Sequence, residues 1–199
     1  MSSNKSYKSA LIFLTTLFFL WGFITVLVDS LVPRLKDVFE MSYAKTVLVQ
    51  FAFFTAFFVV SVPAGAILSK IGYRKGMSLG LIVMAIGALV FIPAASARTY
   101  WVFLAGIFIQ GMGMTLLQTA SNPYITILGP IESAAKRIAI MGIANKVAGA
   151  LGSFIFATIL LSGIEGIKEK LSTVSTAEKA NLLNTMADSV ISPYLVMAL

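Results

Sequence analysis

Five apolar runs, each long enough to cross a lipid bilayer, decide what this chain folds into. A spanning helix needs about 20 mainly apolar residues, and the stretches near 9–32, 45–68, 77–97, 100–128 and 138–164 meet that length. A further apolar stretch runs from Ile191 to Leu199, so the sequence reads as one that stops inside a sixth span. In lipid a backbone must satisfy its own polar groups, and helices do so segment by segment. Soluble domains carry about 25% charged residues; here 12% are charged and 58% hydrophobic, too little polar surface for a water-facing globule. The expected fold class is an all-α membrane protein.

With no His and no Cys, the chain lacks imidazole catalysis, thiol chemistry and the commonest soft metal ligands; no cofactor or metal is expected. The net charge of +7 comes from Lys and Arg scattered between apolar runs, which points to membrane topology and away from nucleic acid. The start of the chain, Lys5 and Lys8 ahead of an apolar run, is too long in its apolar part for a signal peptide and reads as a retained span. With the N-terminus inside, each side receives seven basic residues, the inner ones being Lys5, Lys8, Lys70, Arg74, Lys75, Lys136 and Arg137. Weighting short loops favours the N-terminus inside. The polar stretch 165–190 reads as an outer loop with a surface helix, since Ser175 and Glu178 have capping-box spacing and Leu182, Leu183 and Met186 share a face.

Polar residues inside the spans carry the chemistry. Trp21, Thr25 and Asp29 recur every four residues on one face of the first span. A carboxylate at membrane depth costs about 2.5–3.5 kcal/mol on insertion scales, so Asp29 either lines a wet cavity or sits at the interface. In the fourth span Gly111, Thr115, Gln118 and Asn122 form a polar face, followed by Pro123, which removes a backbone donor and disfavours helical geometry at Asn122. Amide side chains both donate and accept, which suits sugar hydroxyls, although the same residues serve as interhelical glue. The fifth span carries Gly142, Asn145, Gly149 and Gly152 on one face. Lys146 beside them either snorkels or pairs with Asp29. Lys146 and Ser153, seven apart, also offer a Ser–Lys dyad, with no oxyanion site nearby. The phenylalanines at 51, 53, 54, 57 and 58 read mainly as lipid-facing or packing residues.

The first and fourth spans superimpose weakly: Gly22 precedes Asp29 by seven residues, and Gly111 precedes Gln118 by seven. Such echoes are expected of two three-helix repeats. The loop Gly65-Ala-Ile-Leu-Ser-Lys-Ile-Gly72-Tyr-Arg74-Lys75 resembles the signature loop of the major facilitator superfamily, with Ser69 where the family has an Asp. Phe19-Leu-Trp-Gly-Phe23 with Asp29, and Leu117-Gln-Thr-Ala-Ser-Asn-Pro-Tyr124 running on to Gly129-Pro130, together with Arg137 and Asn145, resemble its fucose–galactose–glucose:proton symporter branch.

The resemblance implies the N-terminal six-helix half of a twelve-helix carrier, truncated in helix 6, with a cytoplasmic N-terminus in an inner membrane. It implies ion coupling at Asp29 and sugar contacts at Gln118 and Asn145, and a conformational role for the loop of Gly65, Gly72, Arg74 and Lys75. Gln118 stands where fucose carriers have Glu, Gly142 and Val26 replace polar residues of that pattern, and Lys146 lies outside it. These departures argue against fucose. The expectation is a hexose symporter driven by H+ or Na+, with a missing C-terminal half as partner. Asp29 and Lys146 are its coupling charges, Gln118, Asn122 and Asn145 its hydroxyl binders, and Trp21 with Thr25 its sugar face. A passive uniporter and a non-transporting sugar sensor are the alternatives.

Overall fold

The computed structural model describes residues 2–38, 42–97 and 99–171, with side chains over 8–26, 42–94, 96–97 and 99–155. Five long helices fill it: α1 (Ser2–Val38), α2 (Tyr43–Ile71), α3 (Tyr73–Ser96), α4 (Tyr100–Ile127) and α5 (Ala134–Leu171), with a 3-10 turn at Ile131–Ser133 before α5. All five contain a stretch long and apolar enough to cross a membrane. Several helices overrun the apolar runs: α1 starts at Ser2, and α3 begins at Tyr73 rather than 77. Hydropathy marks only what lipid covers, whereas the i→i−4 ladder continues into polar flanks. The expected surface helix at 175–186 and the sixth apolar stretch lie outside the described residues.

Local chemistry sets the helix ends. Ser42 caps α2, its Oγ accepting from the Lys45 amide at 3.4 Å. Gly72 ends α2 at φ +78°, where a side chain would be strained, and its N–H donates to Leu68 O at 2.8 Å. That single residue reverses the chain into α3. Pro123 sits inside α4, which runs on to Ile127, so Asn122 keeps helical geometry despite the proline that follows it. Proline is tolerated at membrane depth when neighbouring groups re-satisfy the backbone.

Packing follows small residues. The extensive contacts are α3 with α4, α1 with α5, and α2 with α4. A Cβ on Gly113 would come within 2.6 Å of Met84 N, and one on Gly87 within 2.8 Å of Gln110 N, so α3 and α4 touch backbone to backbone. Gly111 faces Ala56 and Phe53 of α2, and Gly152 faces Phe23 of α1. Lipid tails are as apolar as Leu, so such close approach drives association in place of hydrophobic burial. The pairing is reciprocal: α1 lies on α5 as α4 lies on α2, the arrangement of two three-helix repeats. Within α2, Phe53 and Phe57 pack inward at 5.2 Å between centroids, whereas Phe51, Phe54 and Phe58 are exposed. Tyr100 joins α4 to α2 by donating from its hydroxyl to Lys45 O at 2.8 Å.

Candidate functional site

Two contacts fix the depth of every polar residue in the bundle. The first is Arg137, 2% exposed, whose guanidinium reaches back to the end of α4. Its Nε donates to Ile125 O at 3.0 Å, Nη2 to Thr126 O at 2.9 Å, and Nη1 to Pro130 O at 3.0 Å and Ser133 Oγ at 2.6 Å. The last carbonyls of a helix have no partner within it, and a cation there also meets the negative end of the helix dipole. The second contact is between α1 and α5. Asn145 Nδ2 donates to Phe18 O at 3.0 Å, and Gly22 rests against the Asn145 backbone. Val26 touches Gly149 one turn further along, so α1 and α5 run parallel.

Counting from these anchors aligns three helices. Gln118 lies seven residues from Ile125 along α4, and Asn145 eight from Arg137 along α5; at 1.5 Å per residue each is about 11 Å above the clamp. Trp21 and Gly22 join them through the Asn145 contact, so Trp21, Gln118, Asn145 and Lys146 share one depth. Asn122 lies one turn nearer the basic end and is exposed. The Asp29 backbone lies within α1, about 10 Å beyond Gly22 toward the opposite end; its side chain is outside the described residues.

The polar side chains at membrane depth divide into two sets. Thr25 donates to Trp21 O at 2.9 Å, Thr115 to Gly111 O and Thr119 to Thr115 O at 2.8 Å each, and Ser121 to Leu117 O at 2.5 Å. These hydroxyls are used on their own helices, as is the amide of Asn145 on α1. Thr25 therefore keeps only acceptor capacity on its hydroxyl. Gln118 is half-buried, Asn122 and Lys146 are exposed, and none makes a side-chain hydrogen bond to another described residue. Trp21 is half-buried and edge-on to Phe18 at 5.2 Å, which leaves part of its surface open.

At the basic end, Gly65 has open space where a Cβ would stand, Gly72 makes the turn, and Arg74 and Lys75 project from the first turn of α3. Cations are unfavourable at a helix N-terminus. Ser69, in the place of an acid, donates to Ala66 O at 2.8 Å and so leaves that charge unanswered. A groove of about 640 Å³ opens nearby between α1, α3 and α4, lined in part by Phe13, Leu17, Arg74, Met77 and Tyr124. It contains none of Trp21, Gln118, Asn122, Asn145 or Lys146 and is not the site described above. In the sequence Arg137 counts among the seven inner charges and among the residues that carry the resemblance; its place seven residues after Pro130, where a long helix has just ended, is the one sign of a capping role.

A helical bundle with swapped repeat pairing and a shared polar level at mid-depth is the half-unit of a solute carrier. The Major Facilitator Superfamily profile matches residues 3–157, and the chain belongs to that superfamily. It is 45% identical over 198 residues to the glucose/galactose transporter of Brucella abortus biovar 1 (strain 9-941), covering 100% of this chain and 45% of that protein. It is 32% identical over 196 residues to the L-fucose-proton symporter of Escherichia coli (strain K12), covering 98% of this chain and 44% of that one. The crystal structure of the transporter FucP in the outward conformation superimposes with a TM-score of 0.82 at 31% identity, over 97% of this chain and 47% of FucP. The chain thus spans less than half the length of these relatives and matches their N-terminal half. They are transporters rather than enzymes, which removes the dyad reading of Lys146 and Ser153.

Proposed function

We propose that this chain is the N-terminal half of a cation-coupled hexose carrier working by alternating access. The observation that carries the reading is the single depth shared by Trp21, Gln118 and Asn145 from three different helices, with Gln118 unspent on the protein. The names of the relatives, glucose/galactose transporter and L-fucose-proton symporter, support sugar as cargo and a proton as the driving ion. Gln118 and Asn122 bind hydroxyls, each offering two donors and an acceptor. Asn145 contributes its carbonyl oxygen while its amide stays on Phe18 O, and Trp21 offers an apolar face to the ring. The sugar sits between this half and the second half that the relatives carry.

Asp29 is the coupling carboxylate. An ionised carboxylate resists desolvation when the carrier closes, and a bound cation removes that resistance. The loaded and empty carriers then differ in which side they prefer, which is what coupling requires. The N-terminus is cytoplasmic and the membrane the inner one, in keeping with the basic end formed by Lys8, Lys70, Arg74, Lys75 and Lys136. A second reading, facilitated uniport, draws on Lys146: an exposed cation beside Asn145 is a fixed charge that lowers the need for a mobile one.

The test is uptake by the chain joined to its second half in proteoliposomes. Glucose or galactose should accumulate under an inward proton or sodium gradient. Asp29→Asn should lose accumulation but keep counterflow. Gln118→Ala should weaken sugar binding about tenfold, the worth of one good hydrogen bond, and Gln118→Glu should make binding pH-dependent. Accumulation that survives in Asp29→Asn would overturn the coupling assignment, and uptake that needs no gradient would favour uniport.

A further inference from the structure

We propose that Arg137 is a positioning residue for the sugar site: its fork sets the axial register of α4 against α5 and thereby holds Gln118 at the depth of Asn145. The inference rests on the site proposed above. α4 and α5 touch far less than the three extensively packed pairs, and neither the close glycine contacts nor the Asn145 bond join them. Met141 packs into the apolar cluster that holds Leu117 and Ile125, and the polar link between the two helices is the guanidinium. It spends Nε, Nη1 and Nη2 on three backbone carbonyls and one hydroxyl, all from the last turn of α4 and the connection to α5. Because the guanidinium is planar and its donors are fixed in direction, these bonds specify position along the helix axis, and a point cation would not. Burial adds to the constraint, since the group has no water to exchange for the carbonyls. The acid nearest in sequence, Glu132 in the 3-10 turn before α5, is exposed and makes no ion pair among the described residues, so carbonyl dipoles carry the neutralisation.

The geometry turns this clamp into a lever. Gln118 and Asn145 lie about 11 Å beyond it on the two helices it joins. A slip of one residue displaces Gln118 by about 1.5 Å, and one turn by about 5 Å. A sugar held by hydrogen bonds from both helices loses alignment at the smaller figure.

The experiment reads register and function separately in the protein carrying its second half. The chain has no Cys, so Trp101→Cys on α4 and Ile140→Cys on α5, both exposed positions, take nitroxide labels without background. Counting from the clamp puts their backbones about 31 Å apart along the axis. The Arg137-containing protein should give one narrow distance, whereas Arg137→Lys and Arg137→Met should both broaden or shift it by up to about 5 Å. The KM for sugar should rise about tenfold in both, as expected when a remote change misplaces binding groups, with turnover within about twofold of the parent. Ser133→Ala, which removes one of four acceptors, supplies a graded variant should Arg137→Met fail to fold. A parental distance in Arg137→Lys would overturn the proposal, because charge alone would then suffice. A broadened distance with parental KM would overturn it too, because register would then not govern the site. If no sugar is transported at all, the proposed function fails while the distance arm still decides whether Arg137 sets register.

Discussion

Replacing Gly22 by alanine should cost this bundle more than most single methyl groups cost a protein. A Cβ built on Gly22 overlaps the Asn145 carbonyl oxygen and stands 2.8 Å from both the Asn145 carbonyl carbon and its Nδ2, where ordinary contact begins at 3.4 Å. The obstacle is backbone, so no rotamer change relieves it, and α1 must move off α5 by roughly an ångström. That movement stretches the 3.0 Å bond from Asn145 Nδ2 to Phe18 O past useful length. Overpacking contributes about 1–3 kcal/mol and an interhelical hydrogen bond in a membrane about 0.6–1.7 kcal/mol, so the expected loss is about 2–4 kcal/mol. Gly65→Ala and Gly142→Ala are the controls. Both have open space at the Cβ, and alanine's better helix propensity gives them a gain of up to about 1 kcal/mol. Unfolding of the detergent-solubilised protein, with Gly22→Ala, Gly65→Ala and Gly142→Ala measured in parallel, checks both signs. Gly22→Ala as stable as the parent would refute the claim that close backbone contact holds α1 on α5.

Gln110 is 1% exposed, and its Oε1 has no partner among the described residues; an orphaned buried acceptor costs about 1–3 kcal/mol. Gln110→Met, similar in shape, should therefore be neutral or stabilising in the same unfolding assay, and a marked loss would mean that the amide is held by something else. The backbones of Asp29 and Lys146 stand on levels about 10 Å apart, and two charges at that separation in an effective dielectric of 20 attract by about 1.7 kcal/mol. A double-mutant cycle on Asp29→Asn and Lys146→Met should return a coupling of about 1–2 kcal/mol, whereas about 3–5 kcal/mol would indicate a direct buried pair.

Helix number and order were legible because lipid tests every residue of a span in the same way, so five apolar runs translate directly into five helices. Helix ends were less legible: α1 and α5 overrun their apolar stretches because nothing in hydropathy stops a ladder of backbone bonds. Which helix lies on which was not legible at all. Gly22 and Asn145 meet across more than a hundred residues, and neither carries a mark of the other; a glycine stripe announces a close approach without naming its partner. The inward turn of Arg137 was not legible for a related reason. Counted as topology charge it looks like Lys136 beside it, yet one turns to solvent and the other inward, and only the position of the α4 terminus decides which.

Asn122, Gln118 and Lys146 were legible as candidates from spacing, but spacing alone left interhelical glue open beside ligand contact for the two amides, and snorkelling beside pairing with Asp29 for the lysine. The distribution of hydrogen bonds bears on the first of these, cohesion. A polar group at membrane depth that lacks a partner is expensive, so a bundle held by its polar residues would have each of them bonded across helices. Here Thr25, Thr115, Thr119 and Ser121 turn back on their own helices, and the crossings described are made at Tyr100, Arg137 and Asn145. Close glycine contacts supply the rest of the association. The half-bundle therefore does not need Gln118, Asn122 or Lys146 for its own cohesion. Their cost is carried with the helices assembled around them, and on the proposed reading it is recovered when something arrives with matching hydroxyls or charge: cargo, coupling ion or the facing half of the carrier.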